Sequence, residues 1–258
     1  MENNSWHDEV PNASEFKIEL EPLRNSLGSD AKLRAKALDL QLCARDYLFG
    51  YHSEWLGVPV IRLAEDIVRQ QEIIFRERPQ LIIEIGVARG GGLIFSASMQ
   101  ELSSTSPNVI GIDNKVFPHT REAIQNSRYS GEIQLLEADS TSQEAIKFVE
   151  KAITESDVST CLLILDSDHA SEHVFAELKA YVPLLPYGST IMVCDTIIDE
   201  FPPGTYPDRT WSNGSGPGTA VADYLRIDKS VSRMAHHTED LLLTEMRGGI
   251  LKRSSSWS

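Results

Sequence analysis

The chain reads as an α/β protein, a mostly parallel twisted sheet with helices on both faces and an N-terminal helical extension. Three observations predict this. Beyond Pro79, short apolar runs near 81–85, 108–112, 133–136, 161–165 and 189–194 alternate with helix-length segments near 92–103, 119–127, 142–155 and 171–183, and such alternation builds βαβ units. The runs are apolar almost without interruption, as strands covered on both faces must be. The first of them, LIIEIGVARGGG (81–92), passes directly into a glycine turn, where the backbone of such a sheet approaches a ligand.

Residues 1–56 form an arm and an accessory helix, 57–253 the main domain and 254–258 a disordered tail. Up to about residue 30 the chain is polar and acidic and reads as loosely ordered. From Lys32 to Phe49, Leu33, Ala37, Leu40, Ala44, Tyr47 and Leu48 recur at helical spacing. A second helix is expected from about Pro59, a first-turn proline, to Arg78, with Ile61, Ala64, Ile67, Val68, Gln71, Ile74 and Phe75 as its apolar stripe and Pro79 as its stop. The segment 199–218, rich in Pro, Gly, Tyr, Trp and Asn, is a long loop of functional or mobile character. A helix near 219–228 follows, and LLLTEM (241–246) and ILKR (250–253) read as β structure closing the sheet edge.

At 258 residues the chain is long enough for one sizeable α/β domain. Its net charge of −14 argues against nucleic acid or an anionic membrane as partner, because phosphate surfaces require clustered Lys and Arg. Cys43, Cys161 and Cys194 are odd in number and widely separated, which points to reduced thiols in the cytoplasm. No basic-then-apolar leader opens the sequence and no apolar stretch approaches ~18 residues, so neither export nor membrane insertion is expected.

The glycine turn bears on chemistry. A dinucleotide site requires Gly-x-Gly-x-x-Gly, but here Glu84 is followed by Gly86 and Gly90, with Ala88 at the place of the second glycine. An acid two residues before the first glycine suits a ligand with a cationic end, such as S-adenosylmethionine, approached by Gly86, Ala88, Gly90 and Gly91. Acids also follow the other strands: Asp113, Asp139, then Asp166 and Asp168, then Asp195. Asp113 stands where an acid accepts from ribose hydroxyls in S-adenosylmethionine and NAD enzymes alike. Asp139 with Ser140 either meets the adenine or caps the next helix. Asp166, Asp168 and Asp195 form an oxygen-rich set suited to Mg²⁺, Asp166 also being placed to face the cofactor. A zinc reading through His169 and Cys194 is weaker, since no zinc-ligand spacing is present and Cys194 alternates with Asp195 toward the core. Without metal, Asp168 would orient His169 as a general base. His52 and Trp55 line an acceptor pocket or act as packing anchors, Thr196 is a further acceptor contact, His236 and His237 read as exposed, and Gly216-Pro217-Gly218 reads either as a turn and helix start or as a lid folded over the acceptor.

The segments WLGVPVIRLAED (55–66), RPQLIIEIGVARGGG (78–92), VIGIDNK (109–115), ADS (138–140), LLILDSDHASEHVFAELKAYVPLLPYGS (162–189), CDT (194–196) and GPG (216–218) carry a family resemblance. The chain resembles the cephalosporin hydroxylase family of class I, Rossmann-like, S-adenosylmethionine-dependent methyltransferases, which includes rhamnosyl O-methyltransferases, over roughly residues 47–253. The resemblance implies that Glu84, Gly86, Gly90, Asp113 and Asp139 bind S-adenosylmethionine and that Asp166 and Asp195 help hold a divalent ion, usually Mg²⁺. It also implies O-methylation of a small hydroxylated acceptor, a sugar or natural-product scaffold, by a homo-oligomer. Members of the family commonly carry Glu-Asp where this chain has Cys194-Asp195, with Asp168 or a water as the substitute. Two other readings are an NAD-dependent oxidoreductase and a non-catalytic cofactor-binding relative.

Overall fold

The structure, a computed structural model, describes residues 12–155, 157–234 and 240–255; His236, His237 and residues 256–258 of the tail lie outside them. Seven strands form one sheet: β3 (Leu81–Ile85), β4 (Val109–Asp113), β5 (Ile133–Glu137), β6 (Cys161–Leu165), β7 (Thr190–Val193), β8 (Val231–Arg233) and β9 (Ile250–Arg253). Their spatial order is β5-β4-β3-β6-β7-β9-β8. Pairings from β5 through β7 are parallel, while β9 runs antiparallel between β7 and β8. The chain winds outward from β3 to β5, returns to β6 beside β3, and winds the other way, so the switch of direction lies between β3 and β6. Ligands in open α/β sheets bind beyond the strand ends at that crevice.

Side-chain alternation sorts the core into two layers. Ile83, Ile85, Ile112, Leu163, Leu165 and Val193 pack with α6 (Gln143–Glu155), α7 (Ser171–Tyr181) and α8 (Pro217–Ile227). Ile82, Val109, Leu162, Ile164, Met192 and Cys194 face the opposite layer, with α3 (Ala64–Glu77), α4 (Gly91–Leu102) and α5 (Pro118–Asn126). Cys194 is buried there, as the alternation predicts.

Several elements differ from expectation. The arm contains a helix, α1 (Ala13–Ser29), started by a capping box in which Asn12 accepts from the Ser14 and Glu15 amides and Glu15 accepts from the Asn12 amide. The accessory helix is α2 (Ala31–Arg45). Pro59 is not in a helix but in β2 (Val58–Val60), paired with β1 (Ser53–Trp55). Leu56 and Gly57 both have positive φ, the two-residue turn that matches strand twist. The following helix begins at Ala64, and its expected stripe is rotated. Val68 and Phe75 are exposed while Asp66, Arg69 and Gln70 are buried with Ile73 and Ile74, because each buried polar group has a partner elsewhere in the fold. Residues 241–246 form no strand; they pass irregularly over the strand ends. The antiparallel β8 rather than β9 is the sheet edge.

Gly86 illustrates how tightly the crevice is built. Its φ is +94°, and a Cβ there would lie 2.0 Å from the Asp166 carbonyl oxygen. We predict that Gly86→Ala costs about 2–4 kcal/mol of stability, read as a lowered urea midpoint; an unchanged midpoint would contradict this account.

Candidate functional site

Gly86, Ala88 (φ 45°) and Gly90 all occupy the left-handed region, so the turn bends back sharply before α4, whose first residues Gly91 and Gly92 line the crevice. Asp113 Oδ2 accepts from the Val87 amide at 2.8 Å and the Ala88 amide at 3.3 Å, tying the end of β4 to the turn. Glu84 lies beneath it, 4% exposed. Gly92 makes room for this carboxyl: a Cβ at Gly92 would stand 2.4 Å from Glu84 Oε1. Gly91 likewise packs directly on the Pro59 carbonyl of β2.

A guanidinium that has no counterpart in the expected site occupies the centre. Arg62, 3% exposed, reaches Asp166 Oδ2 at 2.8 Å and Glu84 Oε1 at 3.7 Å through one nitrogen, and donates to Gln70 of α3 through another. Glu84 Oε2 is buried and accepts no hydrogen bond among the described residues. Burial pushes the Glu84 carboxyl up to about 7 against the pull of Arg62.

Beside Asp166, Asp195 adopts φ 56° at the end of β7, a conformation that Asp tolerates better than most residues and that is common at functional sites. Burial and the neighbouring Asp166 push its carboxyl up, opposed by His169. His169 Nδ1 faces Asp195 Oδ2 at 3.5 Å, and the ring meets Trp211 edge-on at 5.1 Å. Asp195 therefore orients His169. Asp168, expected in that role, is exposed and accepts from the Ala170 amide at 2.7 Å, shaping the turn into α7.

Two cavities meet here. The smaller, about 210 Å³, is lined by Glu84, Gly86, Ala88, Gly91, Arg62 and Asp166; the larger, about 520 Å³, by Arg45, Phe49, Asp168, Tyr206, Arg209 and Trp211. Tyr51, His169, Asp195 and Glu245 line both. One side of the larger cavity, with Phe201, Tyr206, Arg209 and Trp211, comes from the 199–218 segment, which is internally tied. Asp199 accepts from the amides of Gly214, Gly216 and Thr219 and from the Thr219 hydroxyl, so it caps α8 and holds the loop over the cavity in place of an open lid.

Other expected residues lie elsewhere. His52 is exposed and lines neither cavity, its neighbour Tyr51 taking that place. Trp55 is a packing anchor, donating to Ser98 Oγ at 2.9 Å and meeting Phe95 edge-on. Thr196 is buried and donates to the Arg247 carbonyl at 2.8 Å. Ser140 is turned inward: its hydroxyl donates to Glu177 Oε1 at 2.6 Å, as does Ser167. Asp139 remains exposed in an Asx turn with Thr141, whose hydrogen bonds hold its carboxyl below the usual range.

Residues that sequence reasoning did not single out are Arg62, Asp66, Glu177 and Glu245. Glu177 is fully buried and joins the loops after β5 and β6 through Ser140 and Ser167. Asp66 accepts from the Thr244 hydroxyl and from the Glu245 amide at 2.8 Å, and burial pushes it up to about 7 against those bonds. Arg62 and Asp66 fall within the quoted RLAED stretch and Glu177 within AELKA; Glu245 had no signal, because an irregular segment carries it.

The glycine turn at the switch point, the acid of the adjoining strand and the strand order define a class I, Rossmann-like methyltransferase fold. A family profile described as Rhamnosyl O-methyltransferase/CmcI matches residues 47–254, and the chain belongs to that family. A rhamnosyl O-methyltransferase of Mycobacterium bovis is 28% identical over 175 residues, 67% of this chain and 66% of the relative's length; that of Mycobacterium leprae is 27% identical over 174 residues, 67% and 71%. The match thus spans just under two thirds of the M. bovis relative. Among solved structures, apo CmcI superposes with TM-score 0.56 at 19% identity, covering 79% of this chain and 77% of CmcI, and CmcI with Mg and SAM with TM-score 0.52 at 19%, covering 79% and 77%. At that identity the likeness is one of fold. Among the described residues no helix is long and apolar enough to cross a membrane.

A pH dependence follows from the raised carboxyls. In the folded protein Asp66 and Glu84 keep their protons up to about 7, whereas unfolded they release them near 4. Between about pH 4 and 7 the folded state therefore binds more protons. We predict that the ligand-free protein loses stability as pH rises through that window and levels off above it; thermal melting that shows a rise there would exclude the assignment.

Proposed function

We propose that this chain transfers a methyl group from S-adenosylmethionine to a hydroxyl oxygen of a small acceptor, a sugar or hydroxylated natural-product scaffold, with help from a divalent cation such as Mg²⁺. The observation that carries the reading is the junction of the two cavities: Tyr51, His169, Asp195 and Glu245 face both, so a donor in one and an acceptor in the other would meet at groups able to take a proton. The turn from Gly86 to Gly91 and the buried, half-satisfied Glu84 suit the cationic methionine end of the donor. Asp113 suits its ribose, and Asp139 its adenine end. Phe49, Tyr51, Tyr206 and Trp211 offer flat faces for a ring-shaped acceptor.

A cation is supported by chemistry and charge. Asp166 pushes up the carboxyls of Glu84, Asp195 and Glu245, and Asp195 those of Asp66 and Glu245, around Arg62 and His169, an excess of carboxyl oxygen that suits a hard ion. Among the described residues, no three His, Cys, Asp or Glu side chains already stand in ligand geometry, since Asp166 is engaged by Arg62 and Asp195 by His169. Asp166 and Asp195 would hold the ion. When bound, such an ion lowers the pKa of an acceptor hydroxyl and fixes its position.

The chain's own groups carry the rest. His169, kept in place by Asp195 and Trp211, takes the acceptor proton as the oxygen forms its bond to the methyl carbon and the sulfur–carbon bond breaks, leaving a neutral thioether. The 199–218 wall excludes water, and the cavity walls hold donor and acceptor in line. Self-association is part of the proposal: α1 and α2 expose Phe16, Ile18, Leu23 and Leu40, a surface a second copy would cover.

The test is methyl transfer from S-adenosylmethionine to a panel of sugars and polyhydroxylated compounds. Asp195→Ala is expected to lower kcat by at least about 100-fold with donor affinity, measured by calorimetry, within a few-fold of the original. Undiminished turnover in that variant would remove Asp195 from the mechanism, and binding of NAD in preference to S-adenosylmethionine would overturn the function itself.

A further inference from the structure

We propose that the methyl acceptor carries an anionic group, a carboxylate or a phosphate, set across a ring from the hydroxyl that receives the methyl, and that Arg209 recognises it. The inference rests on the methyl-transfer reading above and narrows its acceptor class.

The side of the larger cavity next to His169 is a chain of rings. Trp211 meets His169 edge-on at 5.1 Å, Tyr206 meets Trp211 at 4.7 Å, and Phe201 lies 6.2 Å from Tyr206. A guanidinium sits over each of two adjoining rings, Arg209 over Trp211 at 5.6 Å and Arg45 over Tyr206 at 5.5 Å. Both arginines line the cavity with those rings. A ring face attracts a guanidinium but takes up few of its hydrogen bonds, so the fork of N–H donors stays available to another partner.

The two arginines differ in what else they touch. Arg45 is engaged: it pairs with Asp46 at 3.0 Å and donates to the Thr205 carbonyl, which ties the loop to the end of α2. Arg209 has no ion pair and no side-chain hydrogen bond among the described residues; Trp211 is what its guanidinium meets. Its charge nevertheless bears on the cavity. Burial, then Asp195, Glu245 and Asp166, push the Tyr51 phenol up, and Arg209 pulls it down.

Charge divides this cavity in two. Asp195 and Glu245 stand with His169 at the junction with the smaller cavity, where carboxyls would repel an anion, whereas Arg209, Tyr206 and Trp211 line the larger cavity alone. An acceptor with its hydroxyl at His169 and its acid at Arg209 suits both ends. Trp211 touches both side chains, so the gap between them is spanned by one ring. The net charge of −14 repels anions at long range, and a local guanidinium offsets that by binding carboxylate or phosphate oxygens through paired N–H donors.

The experiment compares matched acceptors on the full chain: glucose, glucuronate and glucose 6-phosphate as one set, catechol and 3,4-dihydroxybenzoate as another. Calorimetry with S-adenosylhomocysteine present reads binding, and methyl transfer from S-adenosylmethionine reads kcat and KM. The expected result is that an acidic member binds roughly 10-fold or more tightly than its neutral counterpart, the factor that a hydrogen bond to a charged group supplies, with the carboxylate and phosphate arms telling which anion is read. Arg209→Gln should remove that preference by raising KM more than it lowers kcat, and Arg209→Lys should restore part of it. The side chain is exposed, so the melting temperature of both variants should match that of the unaltered protein. If acidic and neutral members bind alike, or none binds, the inference is overturned, and methyl transfer to the neutral members then leaves the methyl-transfer reading standing. A preference for acids that survives in Arg209→Gln also overturns it. If the chain binds neither S-adenosylmethionine nor S-adenosylhomocysteine, the methyl-transfer reading fails and the inference with it.

Discussion

A buried guanidinium organises this site. Arg62 has almost no access to water, so its charge must be met from within the fold. Asp166 and Glu84 meet it from the ends of β6 and β3, and Gln70 accepts from it on α3. The ion pair therefore joins the two strands that flank the switch of winding direction to the segment entering from β2. The close approach of Gly86 to the Asp166 carbonyl and of Gly91 to the Pro59 carbonyl follows the same geometry. Removing Arg62 or Asp166 would leave a buried charge unmatched, a larger cost than the pair itself is worth.

From that centre the polar contacts extend outward in a definite order. Gln70 continues to the Ser96 hydroxyl on α4 at 2.9 Å. Asp66, one turn before Gln70, holds residues 244 and 245, and Arg69 pairs with Asp240 at 3.0 Å. These contacts explain why α3 turns a polar face inward: the face covers the strand ends and the 240–246 segment, where backbone groups need partners, and leaves Val68 and Phe75 in solvent. On the opposite side Glu177 plays a comparable part through Ser140 and Ser167.

Much of this was readable in the residues. The alternation of runs located all five parallel strands to within a residue or so, and an uninterrupted apolar run has few other places to go than a sheet covered on both faces. Acids at successive strand ends were legible because topology, rather than local detail, brings strand ends together. Less legible was anything defined by a partner distant in sequence. Trp55 stood next to a glycine and suggested a pocket, but Ser98 and Phe95 hold it. Asp168 adjoined His169 and suggested a dyad, but successive residues at a turn point apart, and Asp195 faces the ring instead. The capping box from Asn12 to Glu15 was present in the residues and outweighed by the polar composition of the arm.

By itself the sequence determined the fold class and the place of the crevice, because hydrophobic periodicity and glycine spacing act locally and recur in every chain that carries them. It also determined that position 194 offers no carboxylate. Only the tertiary structure decided which acids share the crevice, that Arg62 lies beside two of them, that Asp195 rather than Asp168 faces His169, and that Glu245 arrives from an irregular segment 50 residues beyond Asp195. The physical reason is that a carboxyl's behaviour depends on its desolvation and on the charges within a few ångströms of it. Those neighbours are set by how α3, the strand ends and the last loop pack together.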